Sequence, residues 1–238
     1  MILTDYVFLY LDSFFYLQLL IFVSYLPLIF IGQKIMVHYQ ALNLKTISII
    51  WNLFMSFSSG IGGCIIIYDL LLQLQYISFE KHICNTKFCY SNENLSFVGW
   101  IYGITKSLEW IDTLLLVLQK KKVIFLHYYH HLITMFYCWI ALYNTFYDCS
   151  SIYYAGINLI VHFIMYLYYA LYAMGFRFKY TFIITSIQFI QMLIGILVCY
   201  YSFYCTTGYF SIRLFCAIMY LSYVILFGKL LFSKVKIE

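Results

Sequence analysis

Seven stretches of the 238-residue chain are apolar over the length a bilayer demands: residues 13–32, 47–73, 97–118, 124–143, 152–173, 180–203 and 210–231. About 20 helical residues, rising about 1.5 Å each, cross a hydrocarbon core of roughly 30 Å. A barrel strand needs only ~10 residues of alternating pattern, and these runs are longer and do not alternate. Since only helices and closed barrels satisfy every backbone group in lipid, helices are predicted throughout. The expected fold is an all-α polytopic membrane protein, a single seven-helix domain over residues 1–238.

Composition supports this. The chain is 65% hydrophobic and 10% charged with one proline, whereas soluble chains carry about 25% charged residues. The 27 tyrosines and 23 phenylalanines read mainly as lipid-facing bulk and interfacial belts. The net charge of +5 does not imply nucleic acid, because the basic residues are spread along one membrane side rather than gathered in an aromatic-laced patch. That side collects Lys34, Lys45, Lys120, Lys121, Lys122, Arg177, Lys179, Lys229, Lys234 and Lys236; the other has Lys81, Lys87 and Arg213. The positive-inside rule then predicts a lumenal N-terminus and a cytosolic C-terminus. No Lys or Arg precedes Lys34, so the first span lacks the basic region of a cleaved signal and is expected to be retained.

Cys84, Cys89, Cys149 and Cys205 fall in loops on the non-cytosolic side, where disulfides persist. They allow three full pairings, and a bridge from Cys205 to Cys89 or Cys84 would tie the second and sixth loops together. Cys64, Cys138, Cys199 and Cys216 lie within spans and read as packing residues. So do Ser56, Ser59, Gly60, Gly62 and Gly63: no Lys-Ser/Thr follows them, so they form no phosphate loop. Asn94-Leu95-Ser96 is a sequon close to the membrane. The tail Lys234-Val235-Lys236-Ile237-Glu238 resembles a dilysine retrieval signal, and equally an ordinary positive-inside tail.

Four predicted spans carry polar residues that lipid would not tolerate singly. The third has Lys106, Glu109 and Asp112 at i, i+3, i+6, followed by Thr113; the fourth has His127, His130 and His131 at i, i+3, i+4. The fifth has Asn158, His162, Met165, Tyr166 and Tyr169 on one helical face, and the sixth has Thr185, Gln188 and Gln191. At about 1.5 Å per residue, Asp112 lies about 9 Å and Lys106 about 18 Å below the cytosolic end of its span. His127 to His131 lie about 5–10 Å deep, His162 about 16 Å, and Gln188 to Gln191 about 12–17 Å. One slab between the midplane and the cytosolic surface therefore holds them all. The bland alternative is a hydrogen-bond network that merely holds the bundle together. A chamber open to the cytosol and narrowing into hydrocarbon suits an amphiphile with an anionic head and an acyl tail. Lys120, Lys121, Lys122, Arg177 and Lys179 at its mouth could meet phosphates, or serve only as topology determinants.

These ordered motifs resemble those of the ELO family of fatty acid elongases. They are Lys106-x-x-Glu109-x-x-Asp112-Thr113, Leu126-His127-x-x-His130-His131, Asn158-x-x-x-His162-x-x-Met165-Tyr166-x-Tyr168-Tyr169 and Thr185-x-x-Gln188-x-x-Gln191. Residues 124–127 and 165–176 look closest to the subgroup acting on saturated and monounsaturated long-chain acids. Gln119 departs from the family, which usually has arginine there. The resemblance implies a multi-pass endoplasmic reticulum enzyme, a 3-ketoacyl-CoA synthase joining acyl-CoA to malonyl-CoA without a tightly bound cofactor. It implies His130 as nucleophile, His162 as its partner from a facing helix, and His127 and His131 as orienting or proton-exchanging groups. Asp112 or Glu109 would fix an imidazole tautomer, and Asn158, Gln188 or Gln191 would meet a developing oxyanion. Lys106, Tyr166 and Tyr169 would complete the substrate site. The other enzymes of the cycle (ketoacyl reductase, dehydratase, enoyl reductase) and a second copy in a homodimer are the partners to expect.

Two other classes compete. His127, His130, His131 and His162 could ligate zinc or iron, although membrane di-iron enzymes use several separate histidine boxes and four deep histidines are too few. A seven-span receptor or transporter would need neither a histidine cluster with acid partners nor so unbroken a set of helices.

Overall fold

The computed structural model describes residues 2–85, 93–143, 149–179, 181–206 and 209–235, so Lys87, Cys89 and the tail lysine Lys236 lie outside the described residues. Nine helices occur among them: α1 (Ile2–Met36), α2 (Lys45–Leu74), α3 (Phe79–Ile83), α4 (Glu93–Leu108), α5 (Trp110–Leu118), α6 (Phe125–Tyr143), α7 (Ser150–Met174), α8 (Phe182–Ser202) and α9 (Phe210–Val235). No strand occurs among the described residues. Among the described residues, five helices are long and apolar enough to cross a membrane: Tyr16–Met36, Lys45–Leu74, Ser150–Met174, Phe182–Ser202 and Phe210–Val235. The other two predicted spans fall on α4 with α5 and on α6. These are the segments in which charged residues or histidines interrupt the apolar run.

The chain forms two compact units, residues 1–43 with 104–136, and residues 44–103 with 137–238. In the first, Tyr25, Ile29 and Met36 of α1 bury themselves against Val117 of α5, with Trp110, Tyr128 and Leu132 packed around them. The end of α4 passes into α5 through one tight turn at Glu109. Glu109 N–H still bonds Thr105 O at 3.0 Å, but Asp112 N–H reaches back only three residues, to Glu109 O at 3.1 Å. Such a 3₁₀ step rotates the side chains that follow relative to those before it.

In the second unit the small residues of α2 let it approach α7 closely. A β-carbon on Gly63 would stand 2.8 Å from Ile160 Cδ1, and one on Gly156 would stand 2.7 Å from Ile66 Cγ2. Ser56 Oγ donates to Phe163 O at 2.9 Å across the same seam. The serine–glycine segment is thus a packing surface, as expected in lipid. Gly175 ends α7 in the left-handed region (φ 119°), with Phe176 N–H bonding Leu171 O.

Beyond α2, the short helix α3 places the buried His82 in a polar network. Gln73 Nε2 donates to Asp69 Oδ2, which leaves Gln73 Oε1 to accept from His82 Nε2 at 2.8 Å. His82 Nδ1 then accepts from Tyr153 OH at 2.8 Å. Cys84, at the end of α3, is bonded to Cys205. The Cys205–Cys89 alternative is thereby corrected: α3, anchored through His82, delivers Cys84 to Cys205. Cys149 is also disulfide-bonded, and Cys64, Cys138, Cys199 and Cys216 are free.

Burial pushes the His82 imidazole below its usual pKa, with the Asp69 carboxylate pulling the other way. The unfolded chain therefore takes up this proton first. The contribution is complete above the ordinary histidine range and is lost as pH falls through it, from about 6.5 downward. Thermal unfolding in detergent should show a midpoint lower by a few degrees at acid pH, and His82→Gln should flatten that slope. An unchanged slope in the variant would exclude His82 as its source.

Candidate active site

The first unit builds its polar cluster from four segments. Along α6 the i, i+3, i+4 spacing turns His127, His130 and His131 to neighbouring positions, while Tyr128 and Leu132 pack into the α1–α5 core. All three imidazoles are half-buried. The His127 and His131 rings lie 4.3 Å apart between centroids, and His130 stands edge-on to His131 at 5.8 Å. Lys106 and Glu109 form an ion pair with both side chains 2% exposed. The second carboxylate oxygen of Glu109 lies 3.7 Å from His131 Nδ1, longer than a hydrogen bond but within reach of ionic attraction if that imidazole is protonated. Glu109 is thus a carboxylate beside an imidazole, and Asp112, one turn on in α5, is half-buried.

His127 meets a hydroxyl. Its Nε2 lies 2.9 Å from Thr113 Oγ1, and Thr113 Oγ1 lies 2.8 Å from Tyr25 OH. Ser107 Oγ donates to Gln18 Oε1 at 2.5 Å, a second polar link from α1 to the cluster. Tyr25, Gln18 and Ser107 are absent from the sequence-derived set. Gln18 had a signal, a lone amide within an apolar run, with Tyr25 seven residues further along the same helical face.

Lys120, Lys121 and Lys122 are exposed in the turn after α5, and Lys120 adopts a positive φ of 55°. Gln119 Nε2 donates back to Leu115 O at 3.0 Å, so this side chain satisfies a carbonyl at the end of its own helix.

The second unit holds the remaining residues. Asn158, His162 and Tyr166 are buried along α7, with the His162 and Tyr166 rings edge-on at 5.4 Å. Tyr102 OH points to Asn158 Oδ1 at 3.4 Å. Tyr169, predicted on the same face, is instead 42% exposed. Eleven residues of ideal helix return to nearly the same direction, so Tyr169 stays on the Asn158 face, and that face is uncovered at this level of α7. On α8, Gln188 Nε2 donates to Met165 Sδ at 3.0 Å, Gln191 is buried, and Thr185 accepts from Lys234 Nζ at 2.9 Å. Arg177 is exposed beyond α7, its guanidinium 4.4 Å above the Tyr172 ring, and Lys179 is exposed beside it. Among the described residues, no group of three His, Cys, Asp or Glu side chains is placed to hold a metal ion.

A histidine cluster buttressed by a buried acid–base pair, in an all-helical chain with at least five membrane-length helices, defines a membrane protein with a protected polar site. The ELO: GNS1/SUR4 family matches residues 10–236, and the chain belongs to that family. Fatty acid elongase 3 of Trypanosoma brucei brucei is 33% identical over 89% of this chain and 81% of its own length. Long chain fatty acid elongase 2 of Caenorhabditis elegans is 31% identical over 94% of this chain and 85% of its own. Very long chain fatty acid elongase 6 of Drosophila melanogaster is 32% identical over 72% and 54%.

Proposed function

We propose that the chain is a fatty acid elongase, a 3-ketoacyl-CoA synthase that condenses long-chain acyl-CoA with malonyl-CoA to 3-oxoacyl-CoA, CO2 and CoA. The observation that carries this reading is the His127–His130–His131 cluster beside the Lys106–Glu109 pair, in a member of the elongase family. In this reading a neutral His130 attacks the thioester carbonyl. A C–N bond forms, the C–S bond breaks, and CoA leaves as the thiolate, which takes up a proton. Malonyl-CoA then loses CO2; the resulting enolate carbon attacks the acyl-imidazole, a C–C bond forms and His130 is released. His127 and His131 exchange protons, with Glu109 beside His131. His162 is assigned as the second imidazole, and Asn158, Gln188 and Gln191 as donors to the enolate oxygen. Tyr166 and Tyr169 are assigned to the acyl chain, and Lys120, Lys121, Lys122, Arg177 and Lys179 to the CoA phosphates.

The same reading gives α4 with α5 and α6 the role of two further spans, seven in all, with a lumenal N-terminus, a cytosolic C-terminus and an endoplasmic reticulum location. Saturated and monounsaturated long-chain acyl-CoAs are the substrates to try first. The reductases and dehydratase of the cycle would take up the product, and a homodimer is compatible with it. Purified protein given malonyl-CoA and a panel of acyl-CoAs should release 3-oxoacyl-CoA and CO2, unaffected by chelator. Activity abolished by chelator and restored by zinc or iron would favour a histidine-ligated metal enzyme instead.

A further inference from the structure

Helix α1 carries none of the four motifs, yet it reaches the histidine cluster through a buried hydroxyl pair. We propose that Tyr25 is a positioning residue of the condensation site, acting through Thr113 on His127; this rests on the elongase reading above. Tyr25 and Thr113 are 2% and 1% exposed, so water does not compete for their hydroxyls. The two contacts, 2.8 Å and 2.9 Å, form one continuous chain from Tyr25 OH through Thr113 Oγ1 to His127 Nε2.

Proton counting shows what this chain permits. A threonine hydroxyl has one hydrogen and can also accept; a tyrosine hydroxyl likewise. When His127 is neutral with a bare Nε2, Tyr25 donates to Thr113 and Thr113 donates to His127. When His127 carries a proton on Nε2, that N–H donates to Thr113, whose own hydrogen turns to Tyr25. His127 and Thr113 keep a partner in both protonation states by rotation of two O–H bonds, the Tyr25 hydrogen turning out of the pair when His127 is protonated, with no heavy atom moved and no net proton passed along the pair. A proton-exchanging imidazole needs such a partner in a dry site, because an orphaned polar group there is costly.

The titratable groups around this chain are few. His131 faces His127 from its own helix, and Glu109 and Lys106 act on the pair from the α4–α5 joint. Asp112 and Glu109 act on Tyr25 from α5 and the joint, and His130 acts on His131. Neither Tyr25→Phe nor a change at Thr113 alters any of these charges, so their effect isolates the hydroxyl pair.

In Tyr25→Phe the ring still fills the α1–α5 core, and Thr113 can still serve neutral His127. With His127 protonated, however, the Thr113 hydrogen faces a phenyl ring, and the protonated state loses support. The kcat of condensation should fall by about three- to tenfold with KM for acyl-CoA within twofold. The limb of the pH–rate profile governed by His127 should move to lower pH by about half to one unit, the equivalent of one lost hydrogen bond. Thr113→Val should reproduce the shift, and Thr113→Ser should restore the wild-type profile. The activity-independent readout is the titration of His127 followed by NMR on 15N-histidine-labelled protein, assigned by its disappearance in His127→Gln. It should move in the same direction in Tyr25→Phe. Lower yield or activity with both the profile and the NMR titration unmoved would overturn the proposal and leave Tyr25 a packing residue. If the wild-type protein makes no 3-oxoacyl-CoA, the elongase reading fails separately, and the NMR titration still decides the hydroxyl pair.

Discussion

His130→Ala is expected to reduce malonyl-CoA-dependent condensation by at least about 10³-fold while leaving the protein folded. The magnitude follows from the role: losing a nucleophile removes the covalent route entirely rather than weakening one contact. Folding should survive because His130 is half-buried on α6, and alanine is the strongest helix former for that position. The covalent step gives a sharper readout than the overall rate. Wild-type protein given acyl-CoA without malonyl-CoA should release up to one CoA per active site and gain the mass of the acyl group on His130. His130→Ala should do neither. Normal CoA release by the variant would move the nucleophile elsewhere, and normal product would remove the acyl-imidazole scheme.

Sequence pattern gave the helices readily because lipid leaves so little choice. Five predicted spans coincide with helices of membrane length. The polar spans were harder, for a physical reason: residues that make a site are those that dilute an apolar run. The stretch 97–118 reads as one continuous span, but the chain takes a tight turn at Glu109 and continues as α5. No proline or glycine marks that turn. The histidine spacing was legible, since three imidazoles at i, i+3, i+4 have only one helical arrangement. What they would touch was not. Tyr25, more than a hundred residues from His127, joins the cluster only through tertiary packing, and a tyrosine among 27 carries no signal of its own. Tyr169 shows the opposite failure, because helical spacing gives the face a residue occupies but not how far along the helix that face is covered. Cysteine chemistry narrowed the disulfide to two candidates, and only the anchoring of α3 distinguished Cys84 from Cys89.

Lys106→Met should destabilise the protein by about 3–5 kcal/mol, the largest stability effect expected of any single change in this cluster. The ammonium and the Glu109 carboxylate are buried together, and removing one leaves the other without its counter-charge. Glu109→Leu should cost a comparable amount from the other side. Replacing both, as in Lys106→Met with Glu109→Leu, should recover most of the loss, because a well-packed apolar pair of similar volume needs no desolvated charge. Unfolding in mixed detergent, monitored for all four proteins, measures the coupling directly. Catalysis should not recover with stability: Glu109 Oε2 faces His131 at 3.7 Å, and leucine cannot replace that charge beside the imidazole. A double variant as unstable as either single would show that the two charges are held by separate partners. One that regained both stability and full activity would show that Glu109 has no part in the proton exchange of His131.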